Sequence, residues 1–386
     1  MHLGIDATNI GSGGGVTHLV QLLSAASPID YDIQKVTVYA GKRIANAMPT
    51  HSWLITKSLP WMDAGIFYRM CGQQMLLPFL LRKSGCDVLF SPGGTIPILS
   101  PVPSVVMSQN MLPFEPEQAL LFGRWSLMRL KMRLLRSFQG RSLRQAVGII
   151  FLTEYAQKAI NRRLGGLKSP FVIVPHGIEA RFLKAPRPQR LLSECSMANP
   201  FRFLYVSILM PYKHQIEVAN AIGGLRAQGL PVEIRFVGES WGGYGANFAR
   251  ELSMMDPRSE FLNWTGHEPF ETLHRFYQDS DAFIFASSCE NLPNILIEAM
   301  ASGLPVACSD RGPMQEVLQD AGFYFDPENV SSLMKALLKL IHCRSLREAK
   351  ALKAWQKVQS YSWQRCATET FAFMVENIGK KKKEIV

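Results

Sequence analysis

Short runs rich in aliphatic and aromatic residues recur along the chain, each followed by a longer segment of mixed character. Residues 3–7, 36–40, 86–91, 104–108, 147–153 and 171–174 form one series. Residues 201–207, 232–238, 261–265, 282–286 and 306–308 form a second. The runs at 147–152 and 282–286 carry no polar alternation, which predicts strands buried on both faces of a parallel sheet. After Ala282-Phe283-Ile284-Phe285-Ala286 the chain reads Ser287-Ser288-Cys289-Glu290-Asn291-Leu292-Pro293-Asn294, then Ile295 to Met300 as helix material, then Ala301-Ser302-Gly303-Leu304-Pro305. Pro293 suits a first helical turn, and Gly303 with Pro305 is a stop. The stretch is one strand-to-helix crossing, and Val306-Ala307-Cys308 begins the next strand.

Two carboxylates bracket that helix start. Glu290 falls at the C-terminal end of its strand, where open α/β sheets bind ligands. Glu298 lies about two helical turns further on. The amides between them suit a phosphate. An acid for a sugar, amides for phosphates and a second acid for a ribose would together fit a nucleotide sugar. Spacing alone is equally met by a surface helix carrying two solvated glutamates.

The wording of the stretch is more specific. Glu290, seven residues, Glu298, then Ala-Met-Ala-Ser-Gly-Leu-Pro-Val closely resembles the signature of retaining glycosyltransferases of family 4, the group 1 transferases. The resemblance implies an α/β protein of two Rossmann-like domains facing across a cleft, the GT-B fold, with a C-terminal helix crossing back to the first domain. It implies transfer of a sugar from a nucleoside diphosphate with retained configuration and no metal or other cofactor. Glu290 would then hold the sugar and stabilise positive charge at its anomeric carbon, and Glu298 would bind ribose hydroxyls. Lys213 in Pro211-Tyr212-Lys213 matches the family lysine that meets the donor phosphates. The arginine expected five residues before it is Ile208, and Ser207 replaces a glycine. Within the signature a customary glycine is Pro293, so the amides of Leu292 and Asn294 would serve the phosphates. Gly238, and His267 in the loop after residues 261–265, are further donor-binding candidates.

The earlier half carries fainter signs. Asn9 to Val16 is a glycine loop between a strand and a helix that Thr17 is placed to cap. It is not a dinucleotide fingerprint, because the third small residue is Val16. By itself it reads equally as a plain turn. By resemblance Gly13, Gly14 and Gly15 face the donor pyrophosphate. Gln109-Asn110 stand where many relatives have His-Asp or His-Glu, and neither amide transfers a proton at neutral pH. Asn110 is the candidate for hydrogen bonds to substrate hydroxyls. Asp30-Tyr31-Asp32 precedes a strand instead of ending one and reads as a solvated turn, not a metal triplet. His176 reads as a loop hydrogen-bonder.

Composition narrows the partners. The 386 residues suggest two domains, read as 1–180 and 201–360, with a proline-marked linker at 181–200 and a crossover helix and basic tail at 361–386. The net charge of +11 calls for an anionic partner. No nucleic-acid reader motif is present. The seven cysteines are scattered without a C-x-x-C pair, so neither a disulfide framework nor a metal site is indicated. With no secretory signal and no membrane span, the expected location is cytoplasmic, held peripherally at the inner face of the cytoplasmic membrane. Residues 118–153 contain no Asp or Glu but seven Lys and Arg. Apolar positions 127, 130, 134 and 138 repeat at helical spacing beside Arg129, Arg133 and Arg136. The apolar stripe reads mostly as core, and the basic side as a surface drawn to an anionic membrane or acceptor. Residues 66–83 could extend that surface, and Lys380 to Lys383 could add headgroup attraction. The expected acceptor is a glycan or a lipid-linked glycan, as in surface polysaccharide or lipopolysaccharide synthesis. A nucleotide-sugar epimerase or phosphorylase, or a non-catalytic membrane-surface scaffold of the same fold, are the alternatives.

Overall fold

The structure, a computed structural model, describes residues 1–11, 13–123 and 125–385, with backbone alone from 379 to 385. The side chains of Lys380 to Lys383 therefore lie outside the described residues. The chain divides into two compact units. One comprises residues 1–119, 125–177 and 361–386, and the other residues 120–124 and 178–360.

The first unit is built on seven strands. They are β1 (His2–Asp6), β2 (Lys35–Ala40), β3 (Leu54–Ser58), β4 (Val88–Ser91), β5 (Ser104–Met107), β6 (Gly148–Phe151) and β7 (Phe171–Ile173). Their spatial order is β3-β2-β1-β4-β5-β6-β7, every pair parallel. β1, β4, β5 and β6 are buried along their whole length, as unbroken apolar runs require. The C-terminal helix Trp363–Ile385 belongs to this unit, as expected. It packs so tightly that a Cβ on Gly148 would meet the Phe373 ring, and one on Gly177 the backbone of Trp363.

The second unit repeats the plan with β8 (Phe201–Val206), β9 (Val232–Val237), β10 (Leu262–Trp264), β11 (Ala282–Phe285), β12 (Val306–Ser309) and β13 (Gly322–Phe325). The order is β10-β9-β8-β11-β12-β13, again all parallel. Both sheets reverse direction of growth beside their first strand, the topological switch point of a doubly wound sheet. In the second unit that point lies between the C-terminal ends of β8 and β11.

Two local expectations change. The helix Gly14–Ser24 starts three residues before Thr17, because Gly13, at φ 65°, turns the chain early. The Thr17 amide already donates to Gly13 O at 3.3 Å, so Thr17 lies inside the helix. The apolar stripe on the helix Leu127–Gln145 is not core. Leu127, Leu130 and Leu134 are 85%, 55% and 54% exposed, while Met132, Gln139 and Leu143 are buried. At about 100° per residue these two sets occupy opposite sides of the helix. Periodicity located a face correctly but the sheet covers the other one. The helical stretch at 66–83 forms as expected, interrupted by one π-helical turn at Gly72–Leu76. It leaves Phe67, Met75 and Phe79 exposed.

One buried charge holds the second unit's helical layer. Arg347 is fully buried and donates to Leu340 O, at 2.8 Å, and to Ile341 O and Arg190 O. It thereby satisfies carbonyls at the C-terminal end of the helix Val330–His342, where a cation is favoured. Replacing Arg347 by Met should fill the space but strand three carbonyls. We expect a loss of about 3 kcal/mol or more, read by urea denaturation, and a loss under about 1 kcal/mol would show that water replaces the guanidinium.

Candidate functional site

In the second unit the sequence candidates converge on the switch point. β8 runs out at Val206, and after Ser207 to Met210 a short 3₁₀ turn, Pro211–Lys213, presents Lys213. β11 runs out at Phe285 and leads to Glu290. Lys213 Nζ forms an ion pair with Glu290 Oε1, and the two side chains are 7% and 15% exposed. The ammonium also lies 5.4 Å from the Tyr212 ring centre and 5.5 Å from that of Phe285. The two chain segments are stitched together around the pair. The Ser288 amide donates to Tyr212 O at 2.9 Å, and Ser288 Oγ meets His214 Nε2 at 2.9 Å. Tyr205 OH donates to Lys213 O. His214 adopts the left-handed conformation, at φ 52°, that turns the 3₁₀ segment into the helix Gln215–Ala227. Burial lowers the pKa of His214, with Glu217 opposing.

Gly238 has a role set by backbone packing. At φ 142° it donates to Gly266 O at 2.7 Å, and a Cβ there would come within 2.1 Å of Ser207 O. Any side chain would push apart the ends of β8 and β9. Ile208 sits in this crossing, where the resemblance expected arginine. Among the described ion pairs, Lys213 is the cation at Glu290 and no arginine joins it. His267 is exposed on the loop after β10, beside Gly266 at φ 78°.

The helix Asn294–Ala301 starts one residue later than expected, with Pro293 as its cap. Leu292 is buried. The Asn294 amide donates to Leu292 O at 3.0 Å. That is a correction to counting it as free for a phosphate: the proline bends the chain so that this donor is used within the turn. Glu298 is buried on the inner side of the helix and accepts from Tyr277 OH at 2.8 Å. Burial pushes its pKa up to about 7, against the Tyr277 hydrogen bond, which lowers it. Glu179 raises it further and Arg181 lowers it. Glu179 and Arg181 form their own pair at 2.7 Å, with the guanidinium 4.2 Å from the Phe270 ring centre. Tyr277, Glu179 and Arg181 escaped the sequence reading. They lie more than twenty residues away or outside the motif, and only the fold brings them to Glu298.

The first unit holds the remaining candidates. Gly13, Gly14 and Gly15 open the helix Gly14–Ser24, with open space where a Gly13 side chain would be. Asn110 is exposed, and its Oδ1 accepts from the Leu112 amide at 3.1 Å, capping its own turn. Gln109 instead turns inward, with Nε2 3.1 Å from His18 Nδ1. His18 stacks on His176 at 4.5 Å, and His176 on Trp363 at 5.7 Å. Both histidines are buried, and burial with the facing His176 ring holds His18 neutral, well below the usual pKa. His18 was missed because a lone histidine in a helix carries no signal of its own.

Residues 196–355 match the family model described as glycosyl transferases group 1. The chain is 28% identical over 172 residues to the O-antigen chain mannosyltransferase B of Escherichia coli, an alignment covering 43% of this chain. It covers 44% of the mannosyltransferase, so the chain spans less than half the length of this curated relative. Among solved structures, sucrose-phosphate synthase from Thermosynechococcus elongatus superposes with a TM-score of 0.76 at 15% identity, over 100% of this chain and 99% of that one. Anabaena HepE, solved in complex with UDP and glucose, superposes with a TM-score of 0.69 at 17% identity, over 96% and 99%. At these identities the structural likeness shows the fold, two Rossmann-like units of the GT-B class.

The raised pKa of Glu298 gives a signed expectation. Its folded value of about 7 lies above the ordinary 4.5. The protonated form therefore adds stability that is complete below pH 4.5 and lost as pH rises through 7. Relative to Glu298→Gln, the wild type should lose up to about 3 kcal/mol between pH 5 and 8, read by urea denaturation. A constant difference between the two proteins would show that the carboxyl ionises as freely as in water.

Proposed function

We propose that the protein, whose residues 196–355 match the glycosyl transferases group 1 model, moves a sugar from a nucleoside diphosphate to a glycan or lipid-linked acceptor with retained configuration. The observation that carries this reading is the Lys213–Glu290 pair held at the switch point of the second sheet, with Glu298 on the following helix. Lys213 meets the donor diphosphate as a point charge. Glu290, relieved of part of its pairing when Lys213 turns to the phosphates, holds the sugar and stabilises the positive charge that grows at its anomeric carbon. Glu298 accepts from ribose hydroxyls. Lys213, the Leu292 amide and the dipole of the helix Asn294–Ala301 neutralise the leaving diphosphate, so no metal is required. The leaving phosphate itself takes the acceptor's proton on the face it departs from. That step needs no side-chain base, which accords with Gln109 and Asn110 at the end of β5.

The name of the Escherichia coli relative points to surface polysaccharide as the product class, with a hexose as the sugar. The surface of the first unit supports work at a membrane. Trp125 is 93% exposed, next to exposed Leu127, Leu130 and Leu134, and arginines flank that stripe. An exposed apolar ridge edged by guanidinium groups matches the boundary between acyl chains and anionic headgroups. No described helix is long and apolar enough to cross a membrane. Our reading is that the protein binds peripherally at the inner face of the cytoplasmic membrane. A non-catalytic scaffold of the same fold is favoured by one feature, Ile208 in the arginine's place.

Calorimetric titration with UDP and with GDP, without added metal, separates these readings. One nucleotide is expected to bind in the micromolar range, and Lys213→Ala and Glu298→Ala to weaken it by about tenfold or more while thermal melting remains cooperative. Silence toward both, and toward a wider panel of nucleotide sugars, would leave the scaffold.

A further inference from the structure

The first unit carries a basic cavity of its own. The helices Leu127–Gln145 and Glu154–Leu164 border a space of about 430 Å³ lined by Arg133, Arg136, Ser137, Arg144, Arg163 and Leu164. That volume falls within the range of about 300–1,000 Å³ typical of small-molecule sites. Four guanidinium groups share it with little to balance them. Arg144 donates to Leu164 O at 2.8 Å, a neutral carbonyl. Arg163 has the exposed Glu117 carboxylate at 3.7 Å. Arg133 and Arg136 form no ion pair among the described residues. Like charges gathered around one space repel, and an anion with more than one charge placed there would offset the repulsion. Guanidinium forks bind phosphate oxygens two at a time, and the Ser137 hydroxyl adds a further polar group.

The surroundings say which kind of anion. Arg133 and Arg136 also line a second, smaller cavity of about 50 Å³, walled by Leu112, Pro113, Ala119 and Met132. On the same helix the exposed stripe of Leu127, Leu130 and Leu134 lies next to Arg133. Going around the helix at about 100° per residue, Arg133 and Arg144 fall between the buried face and that exposed apolar face, and Arg136 on the buried side beside them. Charge and grease are therefore ordered as they are in a lipid at the membrane boundary.

We propose that this cavity binds the phosphate headgroup of a membrane lipid, a monoester or diphosphate carrying close to two charges or more. The proposal deepens the membrane part of the reading above and rests on it, but not on the transfer reaction. It makes the contact with the membrane a site instead of a diffuse attraction.

Co-flotation of the full chain with phosphatidylcholine vesicles tests it, with phosphatidic acid or phosphatidylserine added to equal surface charge. The pocket variant is Arg133→Gln with Arg136→Gln. The control, Lys131→Gln with Arg141→Gln, removes the same charge from the same helix outside the cavity. Wild type and control are expected to prefer phosphatidic acid, the pocket variant to bind it about tenfold more weakly or worse, and soluble pyrophosphate to compete. Equal weakening in both double variants, or no preference between the two lipids, would overturn the site in favour of diffuse charge. Pyrophosphate binding without retention on any vesicle would overturn the lipid assignment and leave a site for free phosphates. UDP and GDP titrations on the same preparations keep the two readings apart. Nucleotide binding unchanged in the pocket variant shows that it is folded, and its absence from the wild type would count against transfer without touching the lipid result.

Discussion

A lysine and a glutamate that the protein interior would not suit singly form a buried pair at the C-terminal ends of β8 and β11. Removing either partner of such a buried pair typically costs about 3–5 kcal/mol, because the other charge is left uncompensated. Lys213 and Glu290 are reached from β8 and β11, the adjacent strands at which the sheet order reverses. Their segments are fastened by Ser288 to Tyr212 and His214, and by Tyr205 to the Lys213 carbonyl. The cation is thus held in place by the fold itself, with an acid as its partner. A pair of this kind is weak evidence for stability and better evidence for a site, because an apolar pair of similar volume would serve the fold as well.

The first unit reaches the same topological point with different chemistry. β1 and β4 are adjacent, and Asp6 at the end of β1 is buried. It has no cation. It accepts from the Thr8 amide at 2.9 Å, from the Thr8 hydroxyl, and from Gln73 Nε2 at 2.6 Å. Burial raises its pKa against those hydrogen bonds. Gln73 comes from the π-helical turn, and its Nε2 also donates to Thr95 O at 3.2 Å in the loop after β4. A locally widened helix is thus used to bring one amide to both strand ends, a common use of a π turn. One plan carries an ion pair in one unit and a hydrogen-bonded carboxyl in the other.

What was legible in the sequence is what is local. The Glu290-to-Glu298 segment was readable because one strand, one turn and one helix fix its geometry at 3.6 residues per turn. Both sheets were foreshadowed by unbroken apolar runs such as 282–286. The partners that set the charge states were not readable. Tyr277 and Arg181 reach Glu298 only through the packing of separate helices and loops, and the stacking of His18 on His176 joins residues at opposite ends of the first unit's sequence. The helix Leu127–Gln145 shows the limit most clearly. Its apolar spacing is genuine, yet the side that packs contains Gln139 and Gly140, whose small or polar side chains the hydrophobic pattern ranks below leucine. A Cβ on Gly140 would come within 2.8 Å of the end of the Leu164 side chain, which would have to give way. Close approach chose the buried face, and the leucines were left outside.

The two acids of the signature end in different electrostatic situations although they share one crossing. Glu290 faces an ammonium. Glu298 faces a phenol, and its nearest guanidinium, Arg181, is already engaged with Glu179. Burial without a cation is what lifts Glu298 to about 7, whereas Glu290 is buried together with its own counter-charge. The difference suits the tasks proposed for them. The acid proposed to answer positive charge on a sugar already faces a cation, Lys213. An acid that reads a ribose needs only to accept two hydroxyl hydrogens, and those two hydrogen bonds would themselves favour the ionised form. Seven residues of sequence therefore separate two carboxyls whose chemistry is assigned by neighbours that the strand ends and the facing helix supply.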